Sequence, residues 1–175
     1  SMFDMPISIF YSRRIGESTA FEYRINAALK LMGDTKSGWG YGLILADTSP
    51  RNIGYDYPYA RKRYTLSRVT KSFLDGKSKI GLSHTYFSFD LDGNQDQETI
   101  SLDHISHFLS NQIFIDYQIA KSMNSDIIGN GYVLAMGYQS SSPLSLTLDI
   151  ENYDKNFSIN RVGYLTRNNI KKYQV

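Results

Sequence analysis

Hydrophobic and polar residues alternate along most of the chain. Between residues 23 and 31, Tyr23, Ile25, Ala27, Leu29 and Leu31 hold one parity. Arg24, Asn26, Ala28 and Lys30 hold the other. Successive side chains of a strand point to opposite faces, so these two sets read as the two faces of one strand. A helix would scatter the apolar set around its axis.

The pattern recurs. Trp39, Tyr41, Leu43 and Leu45 oppose Gly40, Gly42, Ile44 and Ala46. Ile113, Ile115, Tyr117 and Ile119 oppose Gln112, Asp116, Gln118 and Ala120. Tyr132, Leu134, Met136 and Tyr138 oppose Val133, Ala135 and Gly137; Leu144, Leu146, Leu148 and Ile150 oppose Ser145, Thr147, Asp149 and Glu151. Two segments read less cleanly. Arg68 shares a face with Leu66, and both faces of 80–89 carry aromatics, which a bulge in either segment would explain.

Turn-like connections fall at 33–38, 75–78, 110–111 and 140–143. Longer polar links are expected near 48–62, 90–98, 122–131 and 151–160. Short and long connections thus alternate, as in transmembrane barrels with tight periplasmic turns and longer outer loops. The expected fold is all-β: an antiparallel up-and-down meander of about nine or ten long strands, each of about 9–11 residues. Residues 1–175 read as a single segment of a longer barrel.

Parity alone does not say which face meets water. A soluble barrel turns its apolar face inward, and a membrane barrel turns it outward around a polar lumen. The strands exceed the usual 5–6 residues, and Tyr and Trp recur near strand ends. Small residues such as Gly40, Gly42, Ala135 and Gly137 fall on the less apolar face. These features favour the outward arrangement. The opposite face then makes Arg24, Lys30, Asp103, Asp116, Asp149 and Glu151 the charged candidates for a lumen.

Composition agrees. Fourteen Tyr, nine Phe and one Trp suit strands and membrane interfaces. The net charge of +2 argues against nucleic acid as a partner. Cysteine is absent, which excludes disulfides and thiolate metal sites. No stretch has the roughly 18 apolar residues of a spanning helix, and no signal peptide is visible. Ser1-Met2 is compatible with an expression scar.

The order of several motifs resembles a bacterial outer-membrane barrel family, domain of unknown function 5916, which usually follows a family-9 carbohydrate-binding module. Phe10-Tyr11-Ser12-Arg13-Arg14-Ile15-Gly16 resembles its opening motif, with Arg13, Arg14 and Gly16 at its centre. Lys30-Leu31-Met32-Gly33 and the segment from Trp39 to Thr48 are similar to the next two strands. Arg68, then Ser78-Lys79-Ile80-Gly81, then Asp103 follow in the family's order, and 162–168 resembles its "G-F-x-x-R-x-D" segment, with Tyr164 and Asn168 as departures. The resemblance implies a Gram-negative outer membrane, with outer-membrane lipid as a partner. It also implies a signal peptide and binding module upstream, while the close on Lys171-Lys172-Tyr173-Gln174-Val175, without a terminal aromatic strand, leads to the expectation of a truncated barrel. It supplies a place more than a reaction.

Other candidates are weaker. Tyr55, Tyr57 and Tyr59, beside Arg61, Lys62 and Arg63, suit glycan contact, although an aromatic girdle explains them more simply. Asp90, Asp92 and Asn94 match the first three ligand positions of a calcium loop. Gln95 and Ser101 then occupy the positions that need Gly and Glu, so a polar turn is the simpler reading. His104 and His107 fall on opposite strand faces and cannot share an ion. Arg13 and Arg14 are expected to pair with Asp103 or Asp116. No catalytic motif appears, and no cofactor is expected. The expected function is an outer-membrane barrel segment linked to glycan binding or uptake. A soluble ligand-binding barrel and a barrel-embedded hydrolase are the alternatives.

Overall fold

A computed structural model describes residues 5–15, 23–50, 61–89, 96–139 and 145–175. Among the described residues, nine strands form one antiparallel sheet in sequence order. They are β1 (Tyr23–Asp34), β2 (Trp39–Pro50), β3 (Lys62–Phe73), β4 (Ser78–Phe89), β5 (Gln97–Phe108), β6 (Ile113–Asn124), β7 (Ile127–Gln139), β8 (Ser145–Tyr153) and β9 (Ile170–Gln174). The all-β up-and-down meander expected from alternation is what forms. Among the described residues, no pairing joins β1 to β9, so the sheet has two edges.

Short turns at 35–38, 74–77 and 109–112 share one end of the sheet, where β7 also ends and β8 begins. Gly38 and Gly76 have φ of 84° and 82°, the left-handed region that only glycine enters without strain. The other end carries the turn at 125–126 and the link at 154–169. One expectation fails here. The long link placed at 122–131 is a two-residue turn at Ser125 and Asp126, because β6 and β7 pair as far as Asn124 and Ile127.

The two faces of the sheet differ in polarity. One face, covered by other chain segments, is rich in polar groups. Arg68, Thr70, Ser83, Thr85, Thr99, Ser101, Asp103, Gln118 and Ser122 are all buried there. The open face carries Leu29, Leu31, Tyr41, Val69, Leu82, Ile100, Ile119 and Leu146, all exposed.

The apolar band on the open face runs obliquely. Opposed residues lead from Asn152 on β8 through Tyr132, Ile119, Leu102, Leu82 and Val69 to Tyr41 on β2. The polar margin does not follow that row. Lys121 lies two residues from it on β6, Glu98 four on β5 and Asp47 six on β2, all toward the longer links. Ser67 and His84 interrupt the band on β3 and β4. From β8 to β2 the margin therefore shifts by about one residue per strand. With strands about 4.8 Å apart and about 3.4 Å of rise per residue, that corresponds to a tilt of about 35°.

Two segments cover the polar face. Residues 5–15 include a 3-10 helix, η1 (Ser12–Arg14). Residues 154–169 fold back from β8 before β9 begins. The two segments pair through Tyr11 N–H to Val162 O and Tyr164 N–H to Ser8 O, both 2.8 Å. Ile7, Ile9, Phe157 and Ile159 are buried against Ala120 and Tyr153. Val162 is buried against Ala46, Tyr64 and Phe87. The double segment thus brings its own small apolar cores to a largely polar wall.

Candidate functional site

The covered face is the candidate site, and glycines set its shape. A Cβ on Gly129 would lie 2.3 Å from the backbone of Asn156 and Phe157, and one on Gly163 2.5 Å from Ser8 O. The covering segments therefore touch the wall and each other where side chains are missing. Polar wall residues satisfy their backbone, as buried N–H groups require. Ile7 N–H donates to Gln118 Oε1 at 2.5 Å, Ser158 N–H to Ser122 Oγ at 3.0 Å, and Arg161 N–H to Gln97 Oε1 at 3.0 Å. Gln118 Nε2 donates to Ser101 Oγ at 3.1 Å.

Beside this network lies a buried ion pair. Arg68 Nη1 donates to Asp103 Oδ1 at 2.5 Å and to Ser83 Oγ at 2.6 Å, and Nη2 donates to Asp103 Oδ2 at 2.8 Å. Neither side chain of the pair is exposed. The guanidinium crosses β4 over Gly81, where a Cβ would approach it to 2.5 Å. This bidentate arrangement is the strong form of an arginine–carboxylate contact. It corrects the expected pairing of Asp103 with Arg13 or Arg14, since Asp103 meets Arg68 instead. Those two arginines lie over tyrosine rings, described below.

The other charged candidates separate. Lys30 pairs with Ile44 on the row of the covered face, but at the exposed edge strand. Arg24 is on the open face, opposite Ser49, with Nε 3.3 Å from Ser49 Oγ. The cause is a bulge between Ile25 and Ala27, which reverses parity. Asn26 is the extra residue; it bonds Asp47 Oδ2 and Ser49 Oγ, both at 2.9 Å. Ile25 consequently lies opposite Thr48 and leaves the set formed by Leu29 and Leu31.

Asp116, Asp149 and Glu151 do come together. They line a cavity of about 510 Å³ beneath Met5 and Pro6. Asp116 Oδ1 is buried with no hydrogen-bond partner among the described residues. Lys172 Nζ lies 3.4 Å from Glu151 Oε1.

At the opposite end of the covered face, cations and aromatic rings assemble. Lys62 Nζ is 3.8 Å from the Tyr23 ring centroid, and Arg161 Cζ is 5.7 Å from that of Phe87. Arg13 Cζ lies 5.8 Å over Tyr11 and Arg14 Cζ 6.0 Å over Tyr164. The two tyrosine rings are 5.5 Å apart. The alternation did not indicate the contacts of Arg13, Tyr11, Tyr164 and Arg14, because these residues lie outside the strands.

On the open face, Ser106 Oγ lies 2.7 Å from His104 Nε2 and donates to Ser78 Oγ at 2.8 Å. Both serines are buried beside Phe73, which stacks on His104 at 6.0 Å. This contact satisfies polar groups within an apolar surface and leaves Ser106 closed to attack. Gly16, Tyr55, Tyr57, Tyr59, Asp90, Asp92 and Asn94 lie outside the described residues. No family model, curated protein or solved structure matches the chain.

Proposed function

We propose that this chain forms the wall of a transmembrane β-barrel in a bacterial outer membrane, with the covered face as its lumen. The reading rests on one observation: the buried face is polar while the open face is apolar. In water, the open face would forgo about 25 cal/mol for each Å² of apolar surface left uncovered. Soluble monomers rarely leave such patches larger than a few hundred Å². Against acyl chains that cost vanishes, and β2 to β8 satisfy their backbone groups by pairing on both sides, as a bilayer requires.

Two further features support it. The oblique apolar band matches the strand tilt of about 35–45° found in barrels. Trp39 and Tyr41 stand on the open face near the short-turn end, where aromatic girdles sit. Lys71 Nζ reaches back from that face to Ser37 O at 2.5 Å and lies 5.1 Å over the Trp39 ring, as a snorkelling lysine does at an interface. In this reading the segments 5–15 and 154–169 fill the lumen, and glycan binding or uptake is the associated role. That role rests on the resemblance to barrels that follow carbohydrate-binding modules.

Trp39, the only tryptophan, tests the membrane reading. The chain is refolded with vesicles containing bromine-labelled lipids, and β structure is followed by circular dichroism. Strong quenching of Trp39, with β structure forming only in lipid, is expected. A chain that folds fully in plain buffer with an unquenched Trp39 would overturn the proposal.

A further inference from the structure

Arg13 and Arg14 are neighbours in η1, a helix with three residues per turn. Consecutive side chains there diverge by about 120°, so each arginine finds a different ring. The result is a ladder in the order Arg13, Tyr11, Tyr164, Arg14, with separations of 5.8, 5.5 and 6.0 Å. Tyr164 comes from a distant part of the chain and is held against the other three by the backbone bonds of Tyr11 to Val162 and of Tyr164 to Ser8. Arg14 Nε also bonds Gly163 O at 3.4 Å.

We propose that this ladder is a binding site for an acidic glycan, recognised through its carboxylate groups. It deepens the glycan-linked reading above and rests on it for the ligand class. Each guanidinium lies beside a tyrosine ring, and exposed Arg13 offers the paired N–H donors that a carboxylate accepts. The site is reachable, since Arg13 is exposed and Tyr164 is 49% exposed. The carboxylates Asp116, Asp149 and Glu151 line a different cavity, beneath Met5 and Pro6. A sugar acid presents both a carboxylate and a C–H face, which matches guanidinium edges beside exposed tyrosine surface. Neutral glycans would lose the charged half of this contact, and free phosphate the apolar half.

The test is calorimetric titration of the full chain, folded in detergent micelles, with trigalacturonate. Maltotriose and inorganic phosphate serve as comparisons. Saturable binding of trigalacturonate, weakened by salt and reduced about tenfold or more in Arg13→Gln, is expected. Arg13 is exposed, so the variant should keep the wild-type circular dichroism. Tyr164→Leu, which removes the platform under Arg14, should also weaken binding. No binding by the wild type would overturn the proposal. So would equal binding by Arg13→Gln, or maltotriose or phosphate binding as tightly as trigalacturonate. Bilayer insertion is read separately by Trp39 quenching. A chain that inserts but ignores trigalacturonate therefore rejects this site alone, and one that binds without inserting rejects the membrane reading alone.

Discussion

Arg68 on β3 and Asp103 on β5 meet across β4, joined by two hydrogen bonds with neither side chain exposed. The pair staples three strands in one register. Removing one partner strands a buried charge, which costs about 3–5 kcal/mol, whereas replacing both by apolar residues is often neutral. Asp103→Ala should therefore destabilise the fold by that amount, and Arg68→Met with Asp103→Leu should recover most of it. Urea unfolding of the lipid-refolded protein measures both. Equal losses in the single and double variants would show that the pair is not the source.

Gly129 and Gly163 make a contrast with Gly76. At the first two, backbone atoms come within 2.5 Å of the point a methyl carbon would occupy, and at Gly76 nothing lies within 4 Å of it. Gly129→Ala should push 154–165 off the wall, costing about 1–3 kcal/mol or more because backbone yields less than a side chain. Gly76→Ala should cost about 1–2 kcal/mol through its left-handed φ alone. Hydrogen exchange distinguishes them. Fast exchange across 154–165 with protected strand amides is expected only for Gly129→Ala; the same profile in Gly76→Ala would contradict the contact argument.

Gln118 holds the first covering segment by its bond to Ile7 N–H. Gln118→Met keeps the volume and removes the acceptor, leaving a buried donor unpaired at about 1–3 kcal/mol. The Ile7 amide should then exchange much faster, while those of Tyr11 and Tyr164, paired within the double segment, change less. An Ile7 amide that stays protected would mean another group holds the segment.

Strand number, direction and alternation were legible because a two-residue period survives in sequence. Parity divides residues into two sets without naming the wet one, so the outward reading leaned instead on strand length, aromatic placement and small residues. Arg24 was misplaced by one extra residue, Asn26, which carries no obvious mark of a bulge. The Arg68–Asp103 pair depends on the register of three strands, and only the fold supplies that. Phe157 and Ile159 alternate within an otherwise polar link, a signal that could have announced a segment packed inside. The ladder of Arg13, Tyr11, Tyr164 and Arg14 had no comparable signal, because Tyr164 lies far from the other three in the chain.

The slope of the polar margin yields the sharpest geometric test of the wall. Leu43 lies four residues inside Asp47 on β2, and Leu148 lies four inside Asn152 on β8. Hydrogen-bond rows do not put them level. The row of Leu148 passes through Met136, Ile115, Ser106 and Ser78 to Phe73, at the short-turn end of β3. In a barrel tilted by about 35°, however, the two leucines sit at the same depth. Tryptophans placed singly at 43 and 148, with Trp39→Phe, should give matching quenching profiles against lipids brominated at different acyl positions. Strands standing upright would instead put position 148 near the headgroups and position 43 deep among the acyl chains. Leu43→Arg and Leu148→Arg should likewise cost similar amounts, about 2–4 kcal/mol if both lie near the midplane.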